Sequence, residues 1–250
     1  MKRCLFLVGV LPSSLFAQGM ILGKYNAEYY RCEYCGFIQT EEPRWNAEAY
    51  EKPINEYDTG IIRRNEQNSK IVKAVILFHF DTSGKFVDYG GGYGLIVRMM
   101  RDKGFDFYWY DKYCVNIFSE KFNASDNGIN SCELVTAFEV LEHLCDPTEE
   151  IEKMLSYSQN ILFSTDLVPA HTPKPGAWWY YGLEHGQHIS FYTMKSLLHI
   201  ARTYHLNLYS DGKSYHLLTA KSIMPVMFKV AVHPVASAII NLLVKNKPKE

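Results

Sequence analysis

The chain has 250 residues, 47% hydrophobic and 14% aromatic, enough apolar material to bury a full core. Its formal net charge of -1 leaves no basic field that would argue for a nucleic-acid partner. Six cysteines, at positions 4, 32, 35, 114, 132 and 145, are too scattered for a disulfide framework and suit a reduced, cytoplasmic protein.

Residues 1–20 imitate a short secretory signal, with Lys2 and Arg3 ahead of the apolar run Cys4 to Leu11. Pro12 truncates that run, and Leu15 is large where a cleavage site wants a small residue, so the segment reads as part of the protein. Next comes Arg31-Cys32-Glu33-Tyr34-Cys35-Gly36, whose C-x-x-C spacing has the shape of a zinc knuckle. With Cys4, the pair Cys32 and Cys35 gives three thiolates and leaves a structural site one ligand short, with His79 or water as fourth ligand. Two ordinary buried thiols are the competing reading. Residues 37–60 hold Pro43, Pro53 and Gly60 and read as a connector; Ile61 to Phe80 read as a helix whose first turn, with Arg63, Arg64 and Asn65, is a solvated face.

In Phe86-Val87-Asp88-Tyr89-Gly90-Gly91-Gly92-Tyr93-Gly94, apolar residues lead into a carboxylate and alternate glycines, followed by an apolar-periodic run from Leu95. That is strand, tight turn, helix. Glycine permits positive φ and lets a ligand approach the main chain, so the turn suits a cofactor. A dinucleotide fingerprint would need a third glycine where Leu95 or Val97 stands, so the pyrophosphate template fails and an NAD-dependent oxidoreductase is disfavoured. Acidic-x-Gly-x-Gly-x-Gly after a first strand resembles the class I S-adenosylmethionine-dependent methyltransferases. The resemblance implies a Rossmann-like α/β fold with a seven-stranded sheet and places Asp88, Gly90, Gly92 and Gly94 against the cofactor. It also brings in relatives that carry a cysteine-rich, zinc-binding module ahead of the catalytic domain.

Phe105 to Tyr110 is an aromatic strand ending at Asp111, 21 residues after Gly90, close to the roughly 20 expected for a ribose-binding carboxylate. A short helix is expected from Tyr113 to Lys121. In the polar stretch Asn123 to Asn130, Asp126 is the nearest candidate for the adenine amine. Glu133 to Phe138 reads as the next strand of the parallel sheet, and Glu139-Val140-Leu141-Glu142-His143 after it resembles the family's post-strand segment facing the cofactor. By that resemblance Glu139 joins the cofactor set and His143 the catalytic candidates.

Asp146 opens a helix to about Tyr157, and Asn160 to Asp166 is the following strand. Leu167 to Tyr192 is a 26-residue connection rich in aromatic residues and histidines, the kind of long loop that carries function. The acceptor site is placed here, with His185 and His188 as candidate bases beside His143. Thr193 caps a helix to Tyr204, and Leu206 to Lys221 form a hairpin. Ile223 to Val244, apolar but broken by Pro225 and Pro234, read as a packed or in-plane helix with a basic tail and not as a membrane span. The chain thus divides into a cysteine-containing module and connector over 1–59, a methyltransferase domain over 60–222, and an apolar helix with a tail over 223–250. The function implied is methyl transfer to a small molecule, first of all a saccharide or its precursor. A methyltransferase-like protein that docks through its N-terminal module without catalysis is the alternative.

Overall fold

The computed structural model describes residues 2–3, 12–51, 59–244 and 248–249. The first strands form a small antiparallel sheet: β1 (Lys2–Arg3), β2 (Pro12–Ile21), β3 (Tyr25–Cys32) and β4 (Ile38–Thr40). The β2–β3 hairpin turns on Leu22 and Gly23, both at positive φ, a pairing that suits the twist of adjacent strands although leucine rarely adopts it. A short helix α1 (Asn46–Ala49) follows. Residues 37–60, expected to be a plain connector, therefore contribute both a strand and a helical turn.

The rest alternates helix and strand: α2 (Ile61–His79), β5 (Lys85–Tyr89), α3 (Leu95–Asp102), β6 (Asp106–Tyr110), β7 (Leu134–Phe138), α4 (Pro147–Tyr157), β8 (Asn160–Ser164). After the long connection come β9 (Ser190–Phe191), α5 (Met194–Thr203), β10 (Asn207–Ser210), β11 (Tyr215–Thr219), α6 (Pro225–Val232) and α7 (Pro234–Leu243). The main sheet has the order β10-β11-β8-β7-β5-β6, parallel from β8 to β6, with β11 antiparallel to β8 and β10 antiparallel to β11.

Six strands, not the expected seven, make up this sheet among the described residues. Beyond β6 the chain makes only a single bridge, Trp109 to Asn123. The cause lies in the polar stretch that follows. Asn123 Nδ2 donates to Asp126, and Asn127 Nδ2 donates to the carbonyls of Lys121 and Asn123, so side chains take the bonds a strand would need. Asn116 similarly replaces the helix expected over 113–121 by a turn. Its amide donates to the Ser119 carbonyl while its oxygen accepts from the Ser119 backbone, leaving only a single helical turn at Glu120–Phe122.

Apolar residues divide between the two faces of the sheet. Phe86, Leu134, Leu162 and Leu217 pack with Ile71 to Ile76 of α2, with Ile96, Val97 and Met100 of α3, and with Phe228 of α6. On the opposite face, Val87, Val135, Ile161 and Phe163 meet Ile151 and Met154 of α4 and Leu197 and Ile200 of α5. A third cluster joins the small sheet to the long connection, because β9 pairs with β4. There Ile21, Tyr29, Ile38 and Trp45 pack on Tyr180, Tyr181 and Phe191. The N-terminal strands thus hold in place the segment that carries His185 and His188.

The C-terminal apolar stretch is two helices, not one. Pro225 and Pro234 each occupy the first turn of a helix, where a missing N–H costs nothing, and the axes bend by 83° at the break. No single helix among the described residues is long and apolar enough to cross a membrane, although the bent pair has that length and composition.

His216 in β11 is fully buried, with Nδ1 at 2.8 Å from the Ser210 hydroxyl and Nε2 at 3.1 Å from the Thr165 carbonyl. A carbonyl can only accept, so Nε2 carries the hydrogen and Nδ1 accepts from Ser210. Burial pushes its pKa down from 6.5 to about 4, against the opposing pull of the Thr165 carbonyl and Asp211. A folded-state pKa below the unfolded one gives stability that is complete above 6.5 and lost as the pH falls through 4. Thermal melts should therefore show His216→Gln losing on the order of 3 kcal/mol less than the parent between pH 7 and pH 4. Equal losses would refute the neutral, doubly bonded imidazole.

Candidate active site

The site forms where β5 lies between β6 and β7, the point at which the strand order reverses and open α/β sheets bind ligands. Asp88 near the end of β5 is almost wholly buried, and its Oδ1 accepts a 2.6 Å hydrogen bond from the Thr136 hydroxyl on β7. Burial pushes its carboxyl up to about 7, Thr136 opposes the shift, and the charge of Asp111 adds to it. The turn from Gly90 to Gly94 crosses the top of the strand. At Gly90, φ is +69° and a Cβ would stand 2.6 Å from Val140, so the turn tolerates only glycine there.

Asp111 fixes the other side of the turn. Its Oδ2 accepts the Gly92 N–H at 2.9 Å, and its Oδ1 accepts from the Tyr113 and Cys114 backbones at 2.7 and 2.8 Å. A carboxylate has about four acceptor positions, so roughly one remains for a ligand, on the Oδ2 side. Gly94 serves differently from Gly90 and Gly92. It lines neither neighbouring cavity; it caps α3 at φ +86°, with Asn116 and Ser119 so close that a Cβ would lie 2.4 Å from each. Asp126 is exposed, bonds to Asn123 and Ser125, and also lines neither cavity.

Two cavities flank the glycine turn. The first, about 310 Å³, is lined by Tyr110, Asp111, Tyr113, Val140 and Tyr50 among others. The second, about 540 Å³, is lined by Asp88, Arg64, Asn65, His143, His185 and His188. Gly90, Gly92, Glu139 and His143 border both. Glu139 directly follows β7 at φ +53°, an uncommon conformation for a side-chain-bearing residue and one that clusters at functional sites. Its carboxylate accepts from the Ser164 hydroxyl at 2.6 Å, while its backbone N–H donates to the same oxygen at 3.0 Å. Burial raises its pKa.

The three candidate histidines, one from the segment after β7 and two from the long connection, meet at the second cavity. Ring centroids of His143 and His188 are 4.9 Å apart, and those of His185 and His188 are 5.0 Å apart. Burial lowers the pKa of His143 to about 4 and drives that of His188 well down, with neighbouring imidazoles adding to both effects. Neutral imidazoles are the result. His185 is half-buried and accepts the Gln187 N–H at 3.1 Å through Nδ1. Gly182, at φ +54°, leaves room for it, since a Cβ there would lie 2.2 Å from its Nε2.

Several residues of the site carry no motif in the sequence. Tyr180 is fully buried; its hydroxyl donates to Glu142 at 2.7 Å, accepts from the Asp166 backbone and lies 3.1 Å from the Thr165 hydroxyl. Tyr50, in the expected connector, brings its hydroxyl to 3.1 Å from His143 Nδ1. Arg64, exposed as expected, and the half-buried Asn65 both line the second cavity.

Cys32 and Cys35 do not build a zinc site among the described residues. Both are buried in the hydrophobic core beside Phe37 and Tyr192. The Cys35 N–H donates to Cys32 Sγ at 3.5 Å, and among the described residues, His79 included, no group of potential metal ligands contains either cysteine. Cys4 lies outside the described residues.

A family model described as a methyltransferase domain matches residues 62–211, more than half of the chain. The protein belongs to the methyltransferase-domain family. Its mixed α/β sheet and the carboxylate-glycine turn agree with the class I S-adenosylmethionine-dependent methyltransferases, whereas a cysteine-rich N-terminal module has no such support. Solved structures similar to this methyltransferase include TnmH, with 16% identity and a TM-score of 0.45 over 64% of this chain and 57% of that one. A Thermotoga maritima protein described as a possible histamine N-methyltransferase has 12% identity and a TM-score of 0.48, covering 71% of this chain and 100% of its own. CalO1, a methyltransferase of calicheamicin biosynthesis solved with S-adenosylhomocysteine, has 14% identity and a TM-score of 0.46 over 72% of this chain and 60% of that one. The chain therefore spans less than two thirds of the length of TnmH and of CalO1. No curated protein sequence matches it.

Proposed function

We propose that the protein transfers a methyl group from S-adenosylmethionine to a small polar acceptor, a saccharide or its precursor being the first candidate. One observation carries the reading: two carboxylates, Asp88 and Asp111, stand on opposite sides of a glycine turn, each lining its own cavity. The cofactor has a charge pattern that this division suits. Its ribose hydroxyls would reach Asp111, with the adenine in the aromatic first cavity. Its ammonium would face Asp88 and supply the positive charge that a buried carboxylate lacks. Arg64 on the same cavity offers a guanidinium to the methionine carboxylate. The remainder of the second cavity, lined by histidines, Glu184, Asn68 and Gln187, is polar enough for a hydroxyl-rich acceptor.

Transfer is an in-line displacement. An acceptor atom attacks the sulfonium methyl, the C–S bond breaks with its electron pair going to sulfur, and the acceptor proton leaves to a base. The chain's part is alignment, exclusion of water and removal of that proton. His185 is suited to the last task because it is half-buried and adjacent to the cavity.

Calorimetry with S-adenosylhomocysteine tests the reading. Micromolar binding is expected, weakened about 10- to 100-fold in Arg64→Ala, the equivalent of one charge-assisted hydrogen bond. Methylthioadenosine, which has no amino-acid end, should bind parent and variant alike. A folded protein that binds neither compound would refute the cofactor assignment and favour a non-catalytic docking role.

A further inference from the structure

Glu142 and His143 sit in the turn after β7, and His188 comes from the long connection, yet their donor atoms lie within 4.8 Å of one another. No other trio of potential ligands among the described residues is so grouped. Two features beyond proximity point to a ligand. The first is the setting of the imidazoles. His188 Nδ1 is 2.6 Å from the Tyr180 carbonyl and His143 Nδ1 is 3.1 Å from the Gln187 carbonyl. Because a carbonyl only accepts, each Nδ1 carries the hydrogen, which at His143 is shared with the Tyr50 hydroxyl as a second acceptor, and each ring keeps a lone pair on Nε2. Histidines that ligate metals are oriented in the same way, by donating their other N–H to a carbonyl or carboxylate.

The second feature is an orphan. Glu142 is fully buried; its Oε1 accepts from Tyr180, while its Oε2 has no hydrogen-bond partner. A buried carboxylate oxygen left unpaired is costly, and the nearby Glu139 carboxylate makes it more so. A cation resolves both problems at once.

We propose that Glu142, His143 and His188 bind one divalent transition-metal ion beside the second cavity, with its open coordination positions facing the acceptor. Two imidazoles and one carboxylate favour manganese, iron, cobalt or zinc over magnesium or calcium. Donors about 2.1 Å from one tetrahedral metal lie roughly 3.4 Å apart, so atoms grouped within 4.8 Å would close by up to about 1.4 Å on binding, a distance side-chain rotation can cover. The cation site does not depend on the methyl-transfer reading, but its role does. Under that reading an acceptor hydroxyl bound to the metal would ionise more readily, easing its attack on the methyl group.

The test begins with chelator-treated full-length protein titrated with Co²⁺, followed by calorimetry and visible absorption. One equivalent should bind, with ligand-field bands and no intense thiolate-to-cobalt charge-transfer band. Affinity should fall at least ~10-fold in His188→Gln and hold at the parent value in Cys32→Ser. Should circular dichroism show His188→Gln unfolded, His143→Asn, at a half-buried position, gives the same comparison. No cobalt binding by folded protein, binding indifferent to these histidine changes, or a thiolate band that disappears with Cys32→Ser would each overturn the site. S-adenosylhomocysteine titrated into the same samples separates the two readings. Cofactor binding without cobalt binding overturns the cation site alone, and cobalt binding without cofactor binding overturns methyl transfer alone.

Discussion

Asp111→Ala is expected to weaken S-adenosylhomocysteine binding by about 100-fold or more, the largest loss from any single change on the cofactor side. Two effects combine. The variant lacks the acceptor for the ribose hydroxyls, and it releases the three backbone donors of Gly92, Tyr113 and Cys114 that this carboxylate gathers. The glycine turn and the segment after β6 would then lose their common anchor. Asp111→Asn should fall nearly as far. An amide oxygen can serve either Gly92 or the Tyr113–Cys114 pair, but its NH₂ then faces N–H donors on the other side. Methylthioadenosine binding separates this loss from that of Arg64→Ala, since only the Asp111 changes should weaken it. Binding at the parent level in Asp111→Ala would refute the ribose assignment.

The central architecture was legible because its signals are local. A carboxylate, alternating glycines and an apolar period of a helix fall within a dozen residues, and β5, α3 and β6 follow them closely. The N-terminal sheet was not legible. Its hairpin turns on Leu22 and Gly23 without the Asn-Gly or Asp-Gly signature, and strand alternation is blurred by a bulge between Leu15 and Ala17. The missing edge strand was hidden for another reason. Position in a known topology argues for a seventh strand, whereas the side-chain bonding of Asn123 and Asn127 decides against it, and no pattern of hydropathy reports such bonds.

The site divides in the same way. Asp88, Asp111, Glu139 and the three histidines were singled out from sequence, and the structure gathers them around one glycine turn. What sequence could not show is how the pieces support each other. Tyr180 matters because its hydroxyl links Glu142 to Thr165 and Asp166, four residues from three segments. Arg64 lines the second cavity from the first turn of α2, a placement that the local sequence does not report. Cys32 and Cys35 carry a spacing shared by metal knuckles and by ordinary tight turns, and in the fold they lie buried among Phe37, Tyr192 and Leu197. The metal-like geometry lies instead where the sequence suggested bases.

Trp45→Ala should lower stability by about 3–5 kcal/mol in urea unfolding, the cost typical of emptying a large buried aromatic site. Trp45 is fully buried, and its Nε1–H donates to the Gly186 carbonyl at 2.8 Å. Its ring also packs where a Gly186 Cβ would come within 3.1 Å, so indole and glycine are matched. Gly186 directly follows His185 and precedes Gln187 and His188, which ties this one tryptophan to the histidine cluster. Trp45→Phe keeps much of the volume but orphans the Gly186 carbonyl and should cost about 1–3 kcal/mol. The functional consequence is selective. Asp88, Asp111 and the glycine turn sit on the main sheet, so cofactor binding by the folded fraction should persist while the loop bearing His185 and His188 loosens and acceptor turnover falls. Loss of cofactor affinity in Trp45→Phe equal to the loss of turnover would mean that the N-terminal sheet supports the cofactor cavity as well, and that the two halves of the site are not independently held.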